Sequence, residues 1–158
     1  MPRNTYEQTT SPAFMGMASG NDPDWNAGNS RFFMRTVSKV ADYTVLASEF
    51  GTFFNTFGAT AAVAFSLPLL STLKSGWWAD FYSAADVGMT VKPDPTTDHD
   101  TLVTFNDVAA DSIAYSTSGE IIGGYVRMVA IGTVGSAPTA WVAIPGNVSH
   151  RQTATIAS

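Results

Sequence analysis

Between residues 43 and 146 the chain consists of short apolar runs that are interrupted by turn residues roughly every ten positions. Strict alternation is clearest in AAVAFSLP, where the two faces of a strand would carry, respectively, Ala61, Val63, Phe65 and Leu67, and Ala62, Ala64 and Ser66. A helical period does not persist anywhere in this region beyond two turns. The pattern predicts an all-β fold, either an antiparallel β-sandwich or a jelly-roll-like barrel.

We expect strands in segments that share β-branched and aromatic residues bounded by Gly, Pro, Asn or Asp: YTVLAS, GTFFNTFG, AAVAFSLP, WWADFYS, MTVKP, TLVTF, SIAYS, EIIGGYVRMVAIG and TAWVAIP. In WWADFYS, alternation places Trp77 and Phe81 opposite Trp78 and Tyr82, so that one face would be core and the other an interface. Sugar stacking is the alternative use of these aromatic residues. Because aromatic side chains are enriched in interface cores, we assign Trp77, Trp78, Phe81 and Tyr82 to a subunit interface.

The charge of the chain excludes one class of partner. Residues 1–42 hold four basic and four acidic side chains, and residues 43–158 hold four and nine, which accounts for the net charge of −5. No basic stripe is available to neutralise phosphates, so we expect no nucleic-acid partner. No run approaches 18 apolar residues, so we expect no membrane partner. Charged residues make up 13% of the chain, about half of the usual share, which favours a packed assembly.

Residues 1–40 differ from the rest of the chain and predict an extended N-terminal arm that precedes a β-domain at 41–158. The first 30 residues are rich in Pro, Gly and Asn and show no sustained period. Isolated bulky residues within them suggest docking into grooves, with a disordered tail as the alternative. Residues 31–43 fit either a helical face or, as we predict, a short strand. The predicted contact residues of the arm are Tyr6, Phe14, Met15, Met17, Trp25, Arg31, Arg35 and Lys39.

Polar loops between the strands raise the question of catalysis or metal binding. Asn106, Asp107 and Asp111 follow the predicted strand LVTF, and Asn and Asp favour turns because their side chains bond nearby backbone amides. Gly119 in STSGE is free to adopt a positive φ. A pair of catalytic carboxylates, Asp107 and Asp111, is the alternative. We interpret these loops as turns.

Metal and cofactor sites are not predicted. The turn DPTTDHD offers Asp94, Asp98, His99 and Asp100, but their spacing does not match a calcium-loop template. With no cysteine and only two histidines, the chain lacks the usual ligands of a transition-metal site. It also lacks a phosphate-binding Gly-rich loop and a nucleophile elbow. We therefore predict a protein that is not an enzyme and has no cofactor.

Two segments resemble structural proteins of tailed bacteriophages. Residues 41–68, ADYTVLASEFGTFFNTFGATAAVAFSLP, resemble a pattern that runs from Y-T-V through an acidic Gly turn to G-A-small-A-V-aromatic-S-L-P. Residues 103–132, with N-D, I-A-Y-S and G-E-I-I-G-G, and then TAWVAIPG, resemble the later part of the same proteins. Ala61 stands where such proteins usually have Gly, and VGSAPTAWV is longer than their corresponding turn.

The resemblance implies a capsid decoration (cement) protein or a head-fibre-like protein. Such decoration proteins usually form homotrimers on the outer capsid surface, bridge subunits of the major capsid protein, and extend an N-terminal arm over capsid grooves. The expected partners are therefore the major capsid protein and further copies of this chain, and the expected location is the virion. The alternatives are a fibre or receptor-binding module that contacts host glycans, and a β-sandwich hydrolase that uses Asp107 or Asp111.

Overall fold

The computed structural model describes residues 34–94, 100–117, 119, 121–133, 136–146 and 155–157. These residues form two packed β-sheets, which confirms the predicted all-β sandwich. Two three-residue 3-10 turns, Ala47–Glu49 and Leu70–Thr72, interrupt the connections. No helix in this part of the chain is long and apolar enough to cross a membrane.

The six-stranded sheet has the order β1-β3-β5-β9-β10-β7. Its strands are β1 (Thr36–Ser38), β3 (Phe53–Asn55), β5 (Trp78–Tyr82), β7 (Thr101–Val103), β9 (Tyr125–Ile131) and β10 (Ala140–Gly146). The five-stranded sheet has the order β11-β8-β6-β4-β2. Its strands are β2 (Tyr43–Thr44), β4 (Val63–Ser66), β6 (Met89–Lys92), β8 (Ser112–Tyr115) and β11 (Thr155–Ala157).

The path of the chain explains why both sheets are mixed. From β1 to β9 each strand lies in the sheet opposite to that of its predecessor. Two successive crossings restore the original direction, so β1, β3 and β5 pair in parallel, as do β2, β4 and β6. Strand β9 then pairs antiparallel with both β5 and β10. The prediction of antiparallel sheets is therefore wrong, because local alternation does not encode which sheet the next strand joins.

The core lies between the inner faces and is centred on aromatic residues. The rings of Phe54 and Phe81 stack with centroids 5.4 Å apart, and Phe65 lies 5.1 Å from Phe81. Trp77 meets Trp141 edge-on at 5.5 Å. Each such buried ring stabilises the fold by about 1.5–3 kcal/mol relative to an exposed one. The alternation predicted for AAVAFSLP is confirmed by its buried large side chains: Val63 and Phe65 of β4, and Leu67 directly after it.

Strands β2 to β9 each lie within a predicted segment, and β10 extends one residue beyond the segment TAWVAIP, to Gly146. The predicted short strand within residues 31–43 is β1, whose Thr36 pairs with Phe53 of β3. The boundary that we placed at residue 40 therefore lies after the first strand of the sandwich rather than before it. Strand β11, at residues 155–157, was not predicted.

Candidate interaction surface

The outer face of the six-stranded sheet carries large apolar and aromatic side chains in cross-strand rows. One row runs across four strands from Phe53 through Asp80 and Arg127 to Ile144. Because side chains alternate along a strand, the outward members of the flanking rows lie two positions away. We call this surface the aromatic face and define it by Phe50, Phe53, Trp78, Asp80, Tyr82, Tyr125, Arg127, Val129, Val142 and Ile144.

Asp80 lies at the centre of the aromatic face, yet only 2% of its side chain is exposed. Arg127 donates to it in a bidentate arrangement, from Nε to Oδ1 at 2.7 Å and from a terminal nitrogen to Oδ2 at 2.8 Å. The hydroxyl of Tyr125 donates to Oδ1 at 2.7 Å. Both carboxylate oxygens therefore accept strong, charge-assisted hydrogen bonds.

The electrostatics of this cluster keep its donors protonated. Hydrogen bonding to Asp80 raises the pKa of Arg127 above its ordinary value. Burial, followed by the hydrogen bond to Asp80, raises the pKa of the Tyr125 phenol. A buried ion pair contributes little net stability relative to apolar residues of the same shape, but removal of one partner leaves an uncompensated charge. The cluster therefore fixes the arrangement of the side chains above it.

Aromatic contacts cover the cluster. The guanidinium carbon of Arg127 lies 4.4 Å from the centroid of the Trp78 ring. Phe50, which is 57% exposed, meets Trp78 edge-on at 5.7 Å. On the neighbouring strands, the rings of Phe53 and Tyr82 are 5.9 Å apart. The guanidinium is thus held between a carboxylate and a π-face, a geometry that favours Arg over Lys.

Gly146 allows Tyr125 to lie across the end of β10. A Cβ atom at position 146 would come within 2.5 Å of the Tyr125 ring. A glycine is therefore required sterically wherever a backbone approaches a ring this closely. It lets the ring cover the sheet while the hydroxyl reaches Asp80.

The aromatic face is suited to binding rather than to acid–base chemistry. Its carboxylate is buried and already accepts three hydrogen bonds, and its phenol donates to that carboxylate. Around this satisfied cluster, Ile144 is 51% exposed and Val129 and Val142 are half-buried. A contiguous apolar surface that surrounds paired polar groups is typical of protein interaction sites.

Of the four aromatic residues assigned to a subunit interface, two face the core and two lie on the outer face of the sheet. Trp77 and Phe81 are 6% and 0% exposed and belong to the core of the sandwich. This corrects their assignment, because a side chain enclosed in the core presents no surface to a second subunit. Trp78 and Tyr82 lie on the aromatic face, and their role in an interface stays a prediction.

Of the eight residues predicted for the arm, Arg35 and Lys39 are described and both contact the sandwich. Arg35 pairs with the buried Glu49 at 3.3 Å, although its own side chain is 57% exposed. The Nζ atom of Lys39 lies 3.2 Å from the centroid of the Tyr43 ring. The other six lie outside the described residues: Tyr6, Phe14, Met15, Met17, Trp25 and Arg31.

The loop after β7 has the geometry of a turn, as we interpreted it. The amide of Asp107 donates to the Thr104 hydroxyl at 3.1 Å, and the Asp107 carboxylate accepts the amide of Ala109 at 2.9 Å. The backbone amide of Asp111 donates to the carbonyl of Ala157 in β11. Gly119 adopts a φ of 80°, as expected for its turn. Asp107 thus stabilises its own loop, and Asp111 is bonded through its backbone to β11 of the five-stranded sheet.

The described residues contain no group of three His, Cys, Asp or Glu side chains that could hold a metal ion. Asp100, at the end of the acidic turn, accepts a hydrogen bond from the amide of Leu70 at 3.0 Å and so anchors the second 3-10 turn. Asp98 and His99 lie outside the described residues.

Sequence reasoning missed Asp80, Arg127 and Tyr125, which organise the aromatic face. A signal was present in the sequence: Asp80 is the single charge in WWADFYS, and Arg127 is the single charge in YVRMVAI. An isolated charge within a strand that is otherwise apolar and aromatic needs a partner of opposite sign. Pairing these two lone charges would have aligned β5 with β9.

A comparison with protein-family models finds no match to this chain, and a comparison with curated proteins finds none that is significantly similar. The likeness to phage structural proteins therefore rests on the two motif-bearing segments themselves.

Proposed function

We propose that the chain is a non-enzymatic virion structural protein, a capsid decoration protein that binds the outer surface of the major capsid protein lattice and stabilises the head. The observation that supports an assembly role is the aromatic face, whose apolar side chains surround an ion pair with both carboxylate oxygens hydrogen-bonded. The motifs at residues 41–68 and 103–132 specify the phage context of the proposal.

The aromatic face favours protein contact for an energetic reason. Burial of apolar area contributes about 25 cal/mol per Å², whereas an unsatisfied polar group buried with it costs about 1–3 kcal/mol. Asp80 is already desolvated within the monomer, and Arg127 is already paired with it. A protein partner can therefore cover this surface without burying an unpaired charge.

The arm supplies the second part of the proposal. Its apolar residues Phe14, Met15, Met17 and Trp25 would bind grooves of the lattice, while the sandwich holds each arm near its neighbours. Fixing each backbone residue costs about 1–2 kcal/mol, so a single arm gains little net free energy. Several arms on one assembly bind with higher effective concentration, which makes oligomerisation part of the function.

Co-sedimentation with capsids tests this proposal. The full-length chain is mixed with capsids assembled from the major capsid protein encoded in the same genome, and bound protein is measured against added protein. We expect saturation at a fixed ratio of copies to capsid subunits. Absence of the chain from the capsid fraction at saturating concentration would contradict the proposal.

Two full-length variants separate the arm from the sandwich. Replacement of Phe14, Met15, Met17 and Trp25 by Ser should weaken capsid binding at least tenfold. The matched control replaces the polar residues Thr9 and Thr10 of the same segment by Ala and should bind like the parent chain. Equal binding by both variants would remove the arm from the mechanism.

The second candidate is a fibre or receptor-binding module that contacts host glycans. It is favoured by the exposed aromatic side chains together with Arg127, since sugars stack on rings and bond to guanidinium groups. Against it, Arg127 and Phe50 already contact the Trp78 ring. Binding of the chain to a glycan array, lost in Trp78→Ser, would favour this candidate over decoration.

A further inference from the structure

We propose that the aromatic face is covered by the same face of a second copy of this chain, in a two-fold symmetric dimer rather than in the homotrimer that the resemblance implies. The inference rests on the proposed use of this face for protein contact and names its occupant. Charge and the character of the opposite sheet support it, and the size of the face limits its expected strength.

Charge selects the face on which two copies can meet. The chain carries a net charge of −5, so copies that approach each other repel in general. Among the outward residues of the six-stranded sheet that the structure describes, the charged side chains are Asp80 and Arg127, and they neutralise each other at 2.7 Å. This sheet therefore presents a neutral surface, where like-charge repulsion between copies is weakest.

The opposite sheet offers no apolar counterpart. Its outer face is lined by small and hydroxyl side chains with one lysine: Thr44, Ala64, Ser66, Thr90, Lys92, Ala114 and Thr155. A head-to-tail contact between sheets would need a second apolar sheet face of matching extent on each copy, and among the described strands neither sheet supplies one besides the aromatic face. A surface that is complementary to itself forms a closed, two-fold contact.

The size of the face sets the expected strength. The aromatic face spans four strands, which at about 4.8 Å spacing and about five residues of length give roughly 300 Å² of projected area per copy. That is less than half of the roughly 800 Å² that each partner buries in a standard stable complex. We therefore expect a weak, reversible dimer rather than an obligate one.

The guanidinium of Arg127 does not oppose such a contact. Its side chain is 40% exposed, but it is already bonded to Asp80 and stacked on Trp78. Covering a charge that is already paired costs much less than burying a free one. The bidentate bonds use Nε and one terminal nitrogen, so the other terminal nitrogen can donate to a carbonyl of the second copy.

Sedimentation velocity of the full-length chain, from micromolar to near-millimolar concentration, tests the proposal. We expect a single-chain species that converts to a two-chain species as concentration rises. Ile144→Glu, on the aromatic face, should raise the dissociation constant at least tenfold. The matched control Ile122→Glu changes an isoleucine of similar exposure, 56% against 51%, on the loop between β8 and β9, and should leave it unchanged.

Cross-linking gives a readout that does not depend on a destabilising charge. The chain has no cysteine, so Ile144→Cys introduces a single thiol on the face and Ile122→Cys a single thiol outside it. With a short bis-maleimide, the first variant should form a covalent two-chain product and the second should not. Circular dichroism of each variant confirms that its fold is retained.

Several outcomes overturn the inference. A single-chain mass at all concentrations shows that the face does not bind its copy, and a three-chain mass shows that the contact is not two-fold. A two-chain mass that responds equally to Ile144→Glu and Ile122→Glu shows that another surface is used. These measurements contain no capsids, so failure of the dimer and failure of the decoration proposal are distinguished.

Discussion

The two outer faces of the sandwich are formed by the same alternation but have opposite chemistry. We call the outer face of the five-stranded sheet the hydroxyl face; Thr44, Ser66 and Lys92 form one of its cross-strand rows. The matching row on the six-stranded sheet carries Phe53, Asp80, Arg127 and Ile144. Water can hydrate the first row, whereas the second exposes apolar atoms around an internal ion pair.

The inner and outer faces differ in whether their apolar side chains are needed for folding. A sandwich needs apolar side chains on its two inner faces, and the hydroxyl face shows that an outer face of this chain can do without them. Large apolar side chains on the aromatic face are therefore not explained by the fold of a single copy. This difference supports the proposed use of the aromatic face for contact with another protein.

The largest effect that we expect comes from removing the carboxylate under the aromatic face. Asp80→Ala leaves Arg127 and the Tyr125 hydroxyl without their acceptor and should lower the free energy of unfolding by about 3 kcal/mol, the low end of the range for a buried pair, because the Arg127 side chain is 40% exposed. Urea denaturation measures this change. Asp86→Ala, an exposed carboxylate on the loop after β5, is the control and should change stability by no more than about 0.5 kcal/mol.

Equal destabilisation by the two Asp variants would remove the distinction between the faces, because it would show that the ion pair does not organise the aromatic face. Asp80→Ala can also be measured at protein concentrations where the variant remains folded. Loss of the dimer there, together with a large loss of stability, would strengthen the distinction between the two outer faces.

A smaller effect should appear at high pH, where the two sheets are joined by Tyr115. This residue belongs to β8, is 1% exposed, and donates to the carbonyl of Tyr125 in β9 at 2.6 Å. Burial raises the pKa of Tyr115 to about 12, from 10.0. Stability from the neutral phenol is therefore fully present below about pH 10 and is lost as the pH rises through about 12, by about 2–3 kcal/mol.

The measurement for Tyr115 is the free energy of unfolding between about pH 9 and about pH 12, for the parent chain and for Tyr115→Phe. Other tyrosines and the lysines titrate in both proteins, so the difference isolates this phenol. The variant should lose less stability over the same interval. Parallel curves would show that the phenol ionises in the folded state as easily as in the unfolded chain.

The smallest effects should come from isosteric exchanges on the outer faces. Thr90→Val on the hydroxyl face and Val129→Thr on the aromatic face should each change the free energy of unfolding by no more than about 1 kcal/mol, because neither side chain belongs to the core. Thermal unfolding measures stability, and light scattering measures mass. Only Val129→Thr should weaken self-association. Weaker self-association of Thr90→Val would show instead that the contact involves the hydroxyl face.

The sequence allowed the strands to be predicted because alternation is a local property. In WWADFYS the separation of Trp77 and Phe81 from Trp78 and Tyr82 followed directly from a period of two. The pairing of Asp80 with Arg127 was not predicted, since these residues are 47 positions apart and nothing between them fixes the register. The parallel pairs were missed for the same reason: each depends on where the chain goes after leaving a strand.

Among the described strands, β9 and β10 are the only paired strands that follow each other directly in sequence. The strands of every other pair are separated by at least one further strand. Thr36, for example, pairs with Phe53, and Phe53 in turn pairs with Asp80. A chain with such nonlocal pairing folds slowly, over milliseconds to seconds, because loops must close before contacts form. During synthesis the early strands therefore emerge before their partners, and the β9–β10 hairpin is the local pair from which the six-stranded sheet can begin to form.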